Sequence, residues 1–337
     1  GAALASVCLA APRAAPPPTP PLAASARLPQ VARMQRTLRR TATAILGLPR
    51  QPPEQLALRN RSLPRGTARR WQHGLVDSTA VPNLLKTEMV DGVAVVTMLG
   101  PEGSFPWGTR IFEHRLNPWL LQQMNIALDV AEREGAQALV VIGEGRFFCN
   151  GMDLQYISAN VSESTRIQTE AEQLLSRILT LGVPTVAALN GHFTAAGAML
   201  GLAFDMRVMP CDGKGLFFVP GIDIGLVYSA GMTELMKAKM PQAVWNDALC
   251  FAKRYQCDEL LRHGVVNMAP PTEELLPKAL ELAQGFKSKG KDAKTRVTMH
   301  GIKRNLYRAA VAALGREVED MGFAEGTWDP TGRAAKQ

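Results

Sequence analysis

The chain has 337 residues with 46% apolar side chains, which is enough to build a sizeable hydrophobic core. Its net charge of +8 originates in residues 1–72, which hold twelve Arg, no Lys and a single acid, Glu54, whereas the rest of the chain is weakly acidic. This distribution argues against nucleic-acid binding by the folded body, because such bodies carry basic surface patches.

Residues 1–72 are predicted to form an arm without a core of its own, because the segment is rich in Ala, Pro and Arg and carries eleven of the 23 prolines. Its Arg-rich, acid-poor composition is typical of an organellar targeting segment, so we expect a mitochondrial location, with a plastid as the alternative. A solvated tail and a partner-binding arm are the other interpretations. Binding of nucleic acid through the arm lacks support, since no aromatic side chain for base stacking precedes Trp71.

The sequence contains five cysteines and no C-x-x-C pair: Cys8, Cys149, Cys211, Cys250 and Cys257. Their odd number and wide spacing argue against a disulfide framework or a metal site and favour a reducing compartment. The apolar stretch 185–206 is interrupted by Asn190-Gly191-His192, so we expect no transmembrane segment.

The first predicted elements are two β-branched-rich strands, Leu84–Val90 and Val93–Leu99, joined by an Asp-Gly hairpin turn. Asn117 and Pro118 then mark a helix start, followed by apolar residues at helical spacing. Ala138–Ile142 is continuously apolar, as expected of a strand buried on both faces.

Further along, an amphipathic helix runs from about Ile167 to Leu181, and Thr185–Leu189 is the next strand. Ala195–Phe204 is predicted as a small-residue helix and Met206–Met209 as a strand. The chain beyond Leu226 is predicted to be helical, around 228–239, 243–252, 257–263, 272–289 and 300–314. Strand–helix repeats followed by helices indicate an α/β fold with a helical C-terminal part.

Two glycine-bearing turns, Gly145–Leu154 and Asn190–Ala198, each follow a predicted strand. Glycine lets a backbone approach a ligand closely, and free amides at a helix N-terminus favour developing negative charge. Two such amides that converge on one oxygen form an oxyanion hole, where each donor is worth about 3–4 kcal/mol in the transition state. Either glycine cluster alone is also compatible with a plain tight turn.

In this order and spacing, the two turns resemble the crotonase superfamily of enoyl-CoA hydratases and isomerases. The resemblance continues through Phe218–Leu226 and Ala248–Val266. Three further segments are most similar to Δ3,Δ2-enoyl-CoA isomerases of the plant type: Glu113–Pro118, Thr185–Gly191 and Ile222–Leu226.

The resemblance implies a crotonase-type ββα spiral over 73–240, a C-terminal helical subdomain over 241–315 and a tail over 316–337. It implies an acyl-CoA ligand with no cofactor and assembly as a homo-trimer or within a larger organellar complex. By position, the Met152 and Ala196 amides are the expected oxyanion donors, with Gly151 and Gly197 allowing close approach.

The carboxylates that usually move protons in this family are missing. The positions where relatives carry Glu or another acid are Met199, Gly221 and a position near Ser229. Abstraction of an α-proton needs a base beside the carbon, which typically contributes about 10²–10⁴-fold. Asp223 is the nearest remaining acid and would share a face with residue 221 if the segment were extended, although a structural hydrogen-bonding role is the favoured interpretation.

Other chemically reactive side chains have structural interpretations in the sequence. Asp153 fits a turn-former, His192 a packing residue and Cys149 an unactivated thiol. Lys303 and Arg304 could contact CoA phosphates, although a solvated helix face is the favoured interpretation. We therefore expect a weakly active or inactive pseudoenzyme, and the alternative is a non-catalytic structural subunit of a large mitochondrial or plastid assembly.

Overall fold

The computed structural model describes residues 82–319. The predictions for the arm 1–72 and for most of the tail 316–337 therefore lie outside the described residues. No helix within 82–319 is long and apolar enough to cross a membrane.

The described chain contains two sheets. Strands β1, β2, β3, β5 and β7 form the larger sheet in that order, and β4, β6 and β8 form the smaller one. Only β1 and β2 pair antiparallel; every other pairing in the two sheets is parallel. The strand bounds are Leu85–Val90, Val93–Met98, Ala138–Gly143, Phe147–Cys149, Thr185–Ala188, His192–Thr194, Met206–Val208 and Phe217–Phe218 for β1 to β8.

Ten α-helices surround these sheets in the described part of the chain. Their bounds for α1 to α10 are Pro118–Arg133, Leu154–Ala159, Ser164–Leu179, Ala196–Ala203, Gly221–Ile224, Ala230–Lys239, Cys257–Arg262, Leu275–Phe286, Ala293–Leu306 and Arg308–Leu314. Short 3₁₀ turns cover Ile111–Glu113, Val161–Glu163, Gln242–Val244, Thr272–Glu274 and Lys287–Lys289, and Asn246–Cys250 is a π-helical turn.

Strand β3 shows why the central strands are continuously apolar. Leu139 and Val141 face the larger core, whereas Ala138 and Val140 face a second core on the opposite side of the sheet. Helix α8 closes this second core with Leu275, Ala279 and Ala283. Because successive side chains of a strand point to opposite faces, a strand covered on both sides has no polar position to spare.

Most predicted elements are confirmed within one or two residues. The Asp91-Gly92 turn joins β1 to β2, and the Asn117 side chain accepts a hydrogen bond of 3.1 Å from the Leu120 amide at the start of α1. The prediction of one helix over 300–314 is wrong, since α9 begins at Ala293 and the helical path breaks at Tyr307 before α10. Asp292 caps α9 with its side chain, a signal that the apolar spacing alone did not reveal.

The expectation of unpaired cysteines is wrong for two of them. Cys211 and Cys257 form a disulfide with a Cα–Cα distance of 5.0 Å, although 46 positions separate them in sequence. Sequence spacing does not determine distance in space. Backbone pairing brings the two cysteines together here. Tyr255 pairs with Phe217, so Cys257 at the start of α7 lies near Cys211 in the segment after β7.

Lys303 of α9 lies in the interior, so both sequence interpretations of this residue, a phosphate contact and a solvated face, are wrong. Its ammonium donates to the carbonyls of Leu181 and Val183 at 3.0 and 2.9 Å and to Asp205 Oδ2 at 2.6 Å. The side chain is 8% exposed. Lys303 therefore connects α9 to the segments that lead into β5 and β7.

We expect Lys303→Ala to lower the free energy of unfolding by about 2–3 kcal/mol, because it leaves Asp205 and two carbonyls without their buried partner. Urea unfolding followed by circular dichroism measures the change. Lys294→Ala, at an exposed position of the same helix, is the control and should stay within about 0.5 kcal/mol. Equal stability of the two variants would contradict this role for Lys303.

Candidate functional site

The smaller sheet brings three chain segments to one edge. Strands β4, β6 and β8 run parallel, so the residues that follow their carboxyl ends lie at the same side of the sheet. These segments are 150–152, 195–197 and 219–221. The topology therefore groups the two glycine-bearing turns with Gly221, one of the positions at which the sequence resemblance places an acid.

The turn that carries the Met152 amide is held by side chains that sequence reasoning missed. Arg115 donates to the carbonyls of Asn150 and Met152 at 3.2 and 3.3 Å and forms an ion pair of 2.5 Å with Glu113. The Asn150 amide group donates to Glu113 at 3.1 Å, and its oxygen accepts from Thr194 Oγ1 at 2.7 Å. Thr194 ends β6, so this contact couples the two turns directly.

Ala196 begins α4 at the second turn. Ala195 before it has φ +51°, a left-handed conformation that is uncommon for a residue with a side chain and costs of order 1–3 kcal/mol. Gly151, at φ +86°, lies against this point: a Cβ added to it would stand 2.9 Å from Ala195 Cβ and 3.4 Å from Ala196 N. A Cβ on Gly197 would overlap the Cys149 carbonyl. Both glycines are thus required by close backbone contact, as expected from the sequence.

Neither expected donor amide is used internally. Within residues 82–319, the N–H groups of Met152 and Ala196 donate no hydrogen bond, although the neighbouring amides of Asp153 and Ala195 are bonded to Leu116 and Phe218. Buried amides are almost always paired with protein or with water or ligand. Met152 and Ala196 are only 9% and 5% exposed, so both residues are buried while their N–H groups have no hydrogen-bond partner in the described part of the chain.

Asp153 anchors the loop that precedes α1. Its fully buried carboxylate accepts hydrogen bonds from the side chains of Trp107, Thr109 and Asn117 and, as the N-cap of α2, from the Tyr156 amide. A carboxylate with four donors is a structural hub, which agrees with the turn-former interpretation. Around it, an aromatic cluster stacks beside the first turn: Phe105, Trp107, Trp119 and Tyr156.

Two of the three positions at which the sequence resemblance places an acid have structural roles here. Met199 lies within α4 and is fully buried. The Ser229 hydroxyl is the N-cap of α6 and accepts from the Met232 amide at 3.1 Å. Neither side chain has a titratable group that could act as a general base.

At the third position, Gly221, the space for a side chain is occupied by Tyr228. The Gly221 amide donates to the hydroxyl of Tyr228, and a Cβ on Gly221 would collide with that hydroxyl and stand 2.7 Å from the Leu226 carbonyl. Burial, with a smaller contribution from the charge of Asp223, raises the pKa of Tyr228 to about 12, so the phenol is neutral at physiological pH. A neutral hydroxyl thus occupies the space that any side chain at position 221 would enter.

Asp223 lies in the helical turn after Gly221, where its charge contributes to the raised pKa of Tyr228. The segment 221–224 is a helical turn, so the extended conformation considered for Gly221 and Asp223 is wrong. Asp223 is exposed, and within the described chain its carboxylate accepts no side-chain hydrogen bond. The structural hydrogen-bonding role expected for it is therefore also absent from residues 82–319.

The remaining candidates are equally inert. Burial raises the pKa of the Cys149 thiol to about 12, which removes the thiolate needed for attack. The His192 ring is half-buried and packs on Phe147 with ring centroids 5.2 Å apart. Burial, followed by the charge of Arg146, lowers the pKa of His192. Arg304 is exposed on α9.

One buried carboxylate was missed in the sequence. Glu172 of α3 is 1% exposed, accepts from Gln168 at 3.1 Å, and has its pKa raised by burial. Its Oε2 lies 2.5 Å from the position of a Cβ on Gly231, in the first turn of α6. A negative charge at a helix N-terminus is stabilised by the helix dipole, which accounts for Glu172 structurally. The helical spacing of the apolar residues did not single out Glu172, and nothing local in the sequence indicated its contact with the start of α6.

The comparisons with known proteins agree with this geometry. Residues 111–323 match the enoyl-CoA hydratase/isomerase family model. The chain is 28% identical over 185 residues to the peroxisomal enoyl-CoA delta isomerase 1 of Arabidopsis thaliana, covering 53% of this chain and 77% of that protein. It is also 28% identical over 212 residues to the mitochondrial enoyl-CoA hydratase domain-containing protein 3 of Rattus norvegicus, covering 61% and 66%.

Solved structures show the same fold. A probable enoyl-CoA hydratase from Mycobacterium tuberculosis superposes with a TM-score of 0.60 at 24% identity, covering 69% of this chain and 93% of that one. The human enoyl-CoA hydratase domain-containing protein 3 gives a TM-score of 0.56 at 20% identity, covering 67% and 84%. The chain belongs to the enoyl-CoA hydratase/isomerase family and has the crotonase fold, as the two glycine-bearing turns indicated.

We expect Gly221→Glu to destabilise the protein by about 2 kcal/mol or more, because its Cβ meets the Tyr228 hydroxyl and a backbone carbonyl that cannot move aside freely. Gly285→Glu is the control, since a Cβ there has no neighbour within 4 Å. Urea unfolding of both variants measures the difference. A Gly221→Glu protein that is as stable as the control, or that gains turnover of a 3-enoyl-CoA, would show that the position is open after all.

Proposed function

We propose that the protein binds acyl-CoA thioesters through the Met152 and Ala196 amides and turns them over slowly or not at all. The observation that carries this proposal is the asymmetry of the site. Its two amide donors are unbonded within residues 82–319, whereas the usual carboxylate positions are a buried methionine, a filled glycine and a helix cap. Two amides stabilise an enolate, but they cannot transfer a proton between carbons.

A second candidate function is that of a structural subunit in a larger assembly. Helix α9 presents Val297, Ile302 and Leu306 to solvent, with exposures of 60%, 60% and 68%. Ile302 and Leu306 lie one turn apart on the same side of the helix, and an exposed apolar pair of this kind favours contact with another chain, in a homo-trimer or a larger complex. Light scattering coupled to gel filtration tests assembly, and a monomer at micromolar concentration would count against it.

We further propose a mitochondrial location, with a plastid as the alternative. The Arg-rich, acid-poor composition of residues 1–72 supports an organellar address, and the relatives include proteins named as mitochondrial and as peroxisomal. Imaging of the full chain fused to a fluorescent protein, with and without residues 1–72, tests this proposal. A diffuse signal from the full chain would argue against an organellar location.

We expect Gly151→Ala to weaken butyryl-CoA binding at least about 10-fold, because its Cβ pushes the first turn away from the Ala196 amide. Titration calorimetry measures the affinity. Gly145→Ala is a matched control: its φ of +72° imposes similar backbone strain, but a Cβ there has open space. Equal losses in the two variants would attribute the effect to strain alone and remove the support for an amide site.

We expect turnover of a 3-enoyl-CoA or a 2-enoyl-CoA to be at least about 10²-fold below that of a relative with an intact carboxylate. Steady-state assays with both substrates measure this ratio. Turnover near that of the relative would contradict the proposal. In that case Asp223→Asn and Glu172→Gln would identify which carboxylate acts as the base.

A further inference from the structure

The Tyr228 hydroxyl is placed as a donor group of the site. Its oxygen accepts from the Gly221 amide, and within residues 82–319 its proton is donated to no acceptor. The ring is half-buried against the main core, so the hydroxyl is held in place and not free to swing. Because one side of the hydroxyl oxygen accepts the Gly221 N–H, the O–H proton points away from the Gly221 amide.

The location of this hydroxyl follows from the strand ends. The Phe218 carbonyl at the end of β8 accepts from the Ala195 amide at 2.9 Å, and Ala195 directly precedes the Ala196 donor. Gly221 is three residues beyond Phe218, and a residue spans at most about 3.6 Å, so Gly221 lies within roughly 11 Å of Phe218. Tyr228 is hydrogen-bonded to Gly221, so its hydroxyl lies beside the segment that follows the carboxyl end of β8.

We propose that the Tyr228 hydroxyl is a third hydrogen-bond donor of this site and selects acyl-CoA ligands that carry a second acceptor oxygen on the acyl chain, as a 3-oxoacyl-CoA does. This inference rests on the proposed acyl-CoA site and adds a ligand class to it. A neutral phenol donates a hydrogen bond but does not take a proton from carbon. Its role is therefore to bind a carbonyl oxygen of the ligand and not to act as a general base.

Acetoacetyl-CoA and butyryl-CoA test the proposal, because they have the same chain length and differ in one acyl oxygen. Titration calorimetry on the full chain should show that the wild type binds acetoacetyl-CoA about 10-fold more tightly. Tyr228→Phe should abolish most of this preference and leave butyryl-CoA within about 2-fold of wild type. Tyr307→Phe, which removes a phenol hydroxyl bonded to Lys239, is the control and should keep the preference.

The outcomes separate the two proposals. If wild type binds both ligands equally, or if Tyr228→Phe weakens both to the same extent, the hydroxyl only supports the Gly221 turn and the inference is wrong, whereas acyl-CoA binding stands. If neither ligand binds wild type, the acyl-CoA site itself is refuted and the inference falls with it. Thermal unfolding of Tyr228→Phe within a few degrees of wild type ensures that a lost preference is not a loss of fold.

Discussion

The site depends on backbone packed directly against backbone. Helix α4 starts so close to the end of β4 that no side chain fits at Gly197, where a Cβ would overlap the Cys149 carbonyl. Gly191, directly before β6, is in the same situation, because a Cβ there would overlap the Arg146 carbonyl. Because these contacts leave no room for adjustment, the position of the Ala196 amide relative to the first turn is fixed by steric contact between backbones and not by side-chain rotamers.

The Asn150 side chain completes this arrangement from the other direction. It is bonded to Glu113 and to Thr194, so the loop before α1, the first turn and the end of β6 move together. Asp153 adds the loop containing Trp107 to the same unit. Preorganised donors of this kind stabilise developing charge without reorganisation, and here the hydrogen bonds that hold the turns do not involve residues 199, 221 or 229.

Gly221 and Tyr228 depend on each other. A larger residue at 221 excludes the tyrosine hydroxyl, and without that hydroxyl the Gly221 amide would lose its partner. Gly221 and the Tyr228 phenol are therefore one structural unit. A variant of either residue alone examines a broken pair.

Much of the fold could be predicted from the sequence, because the β3 run, the Asp91-Gly92 turn and the Asn117 cap have local causes. The same holds for the glycines of the two turns, whose spacing after strands carries the pattern. Sequence reasoning failed where a residue's role is set by distant partners. Lys303 meets carbonyls more than a hundred residues away, and Glu172 lies against a helix start that no local pattern connects to it. Tyr228 was not identified as a candidate, since nothing in the adjacent sequence distinguishes an ordinary core tyrosine from one whose hydroxyl contacts Gly221.

The Cys211–Cys257 bond has a consequence for how the two halves of the site are secured. It closes a covalent ring of chain that includes Gly221, Asp223, Tyr228 and Ser229, whereas the amide-bearing turns at 152 and 196 lie outside the ring. In the chain-entropy model, closing a loop of this length lowers the entropy of the unfolded chain and thereby adds about 4 kcal/mol to the free energy of unfolding. The amide-bearing turns are therefore held by steric contact between backbones, whereas the ring also depends on an oxidised cysteine pair. In a thiol-rich environment the bond would be reduced, and this contribution to the stability of the fold would be lost.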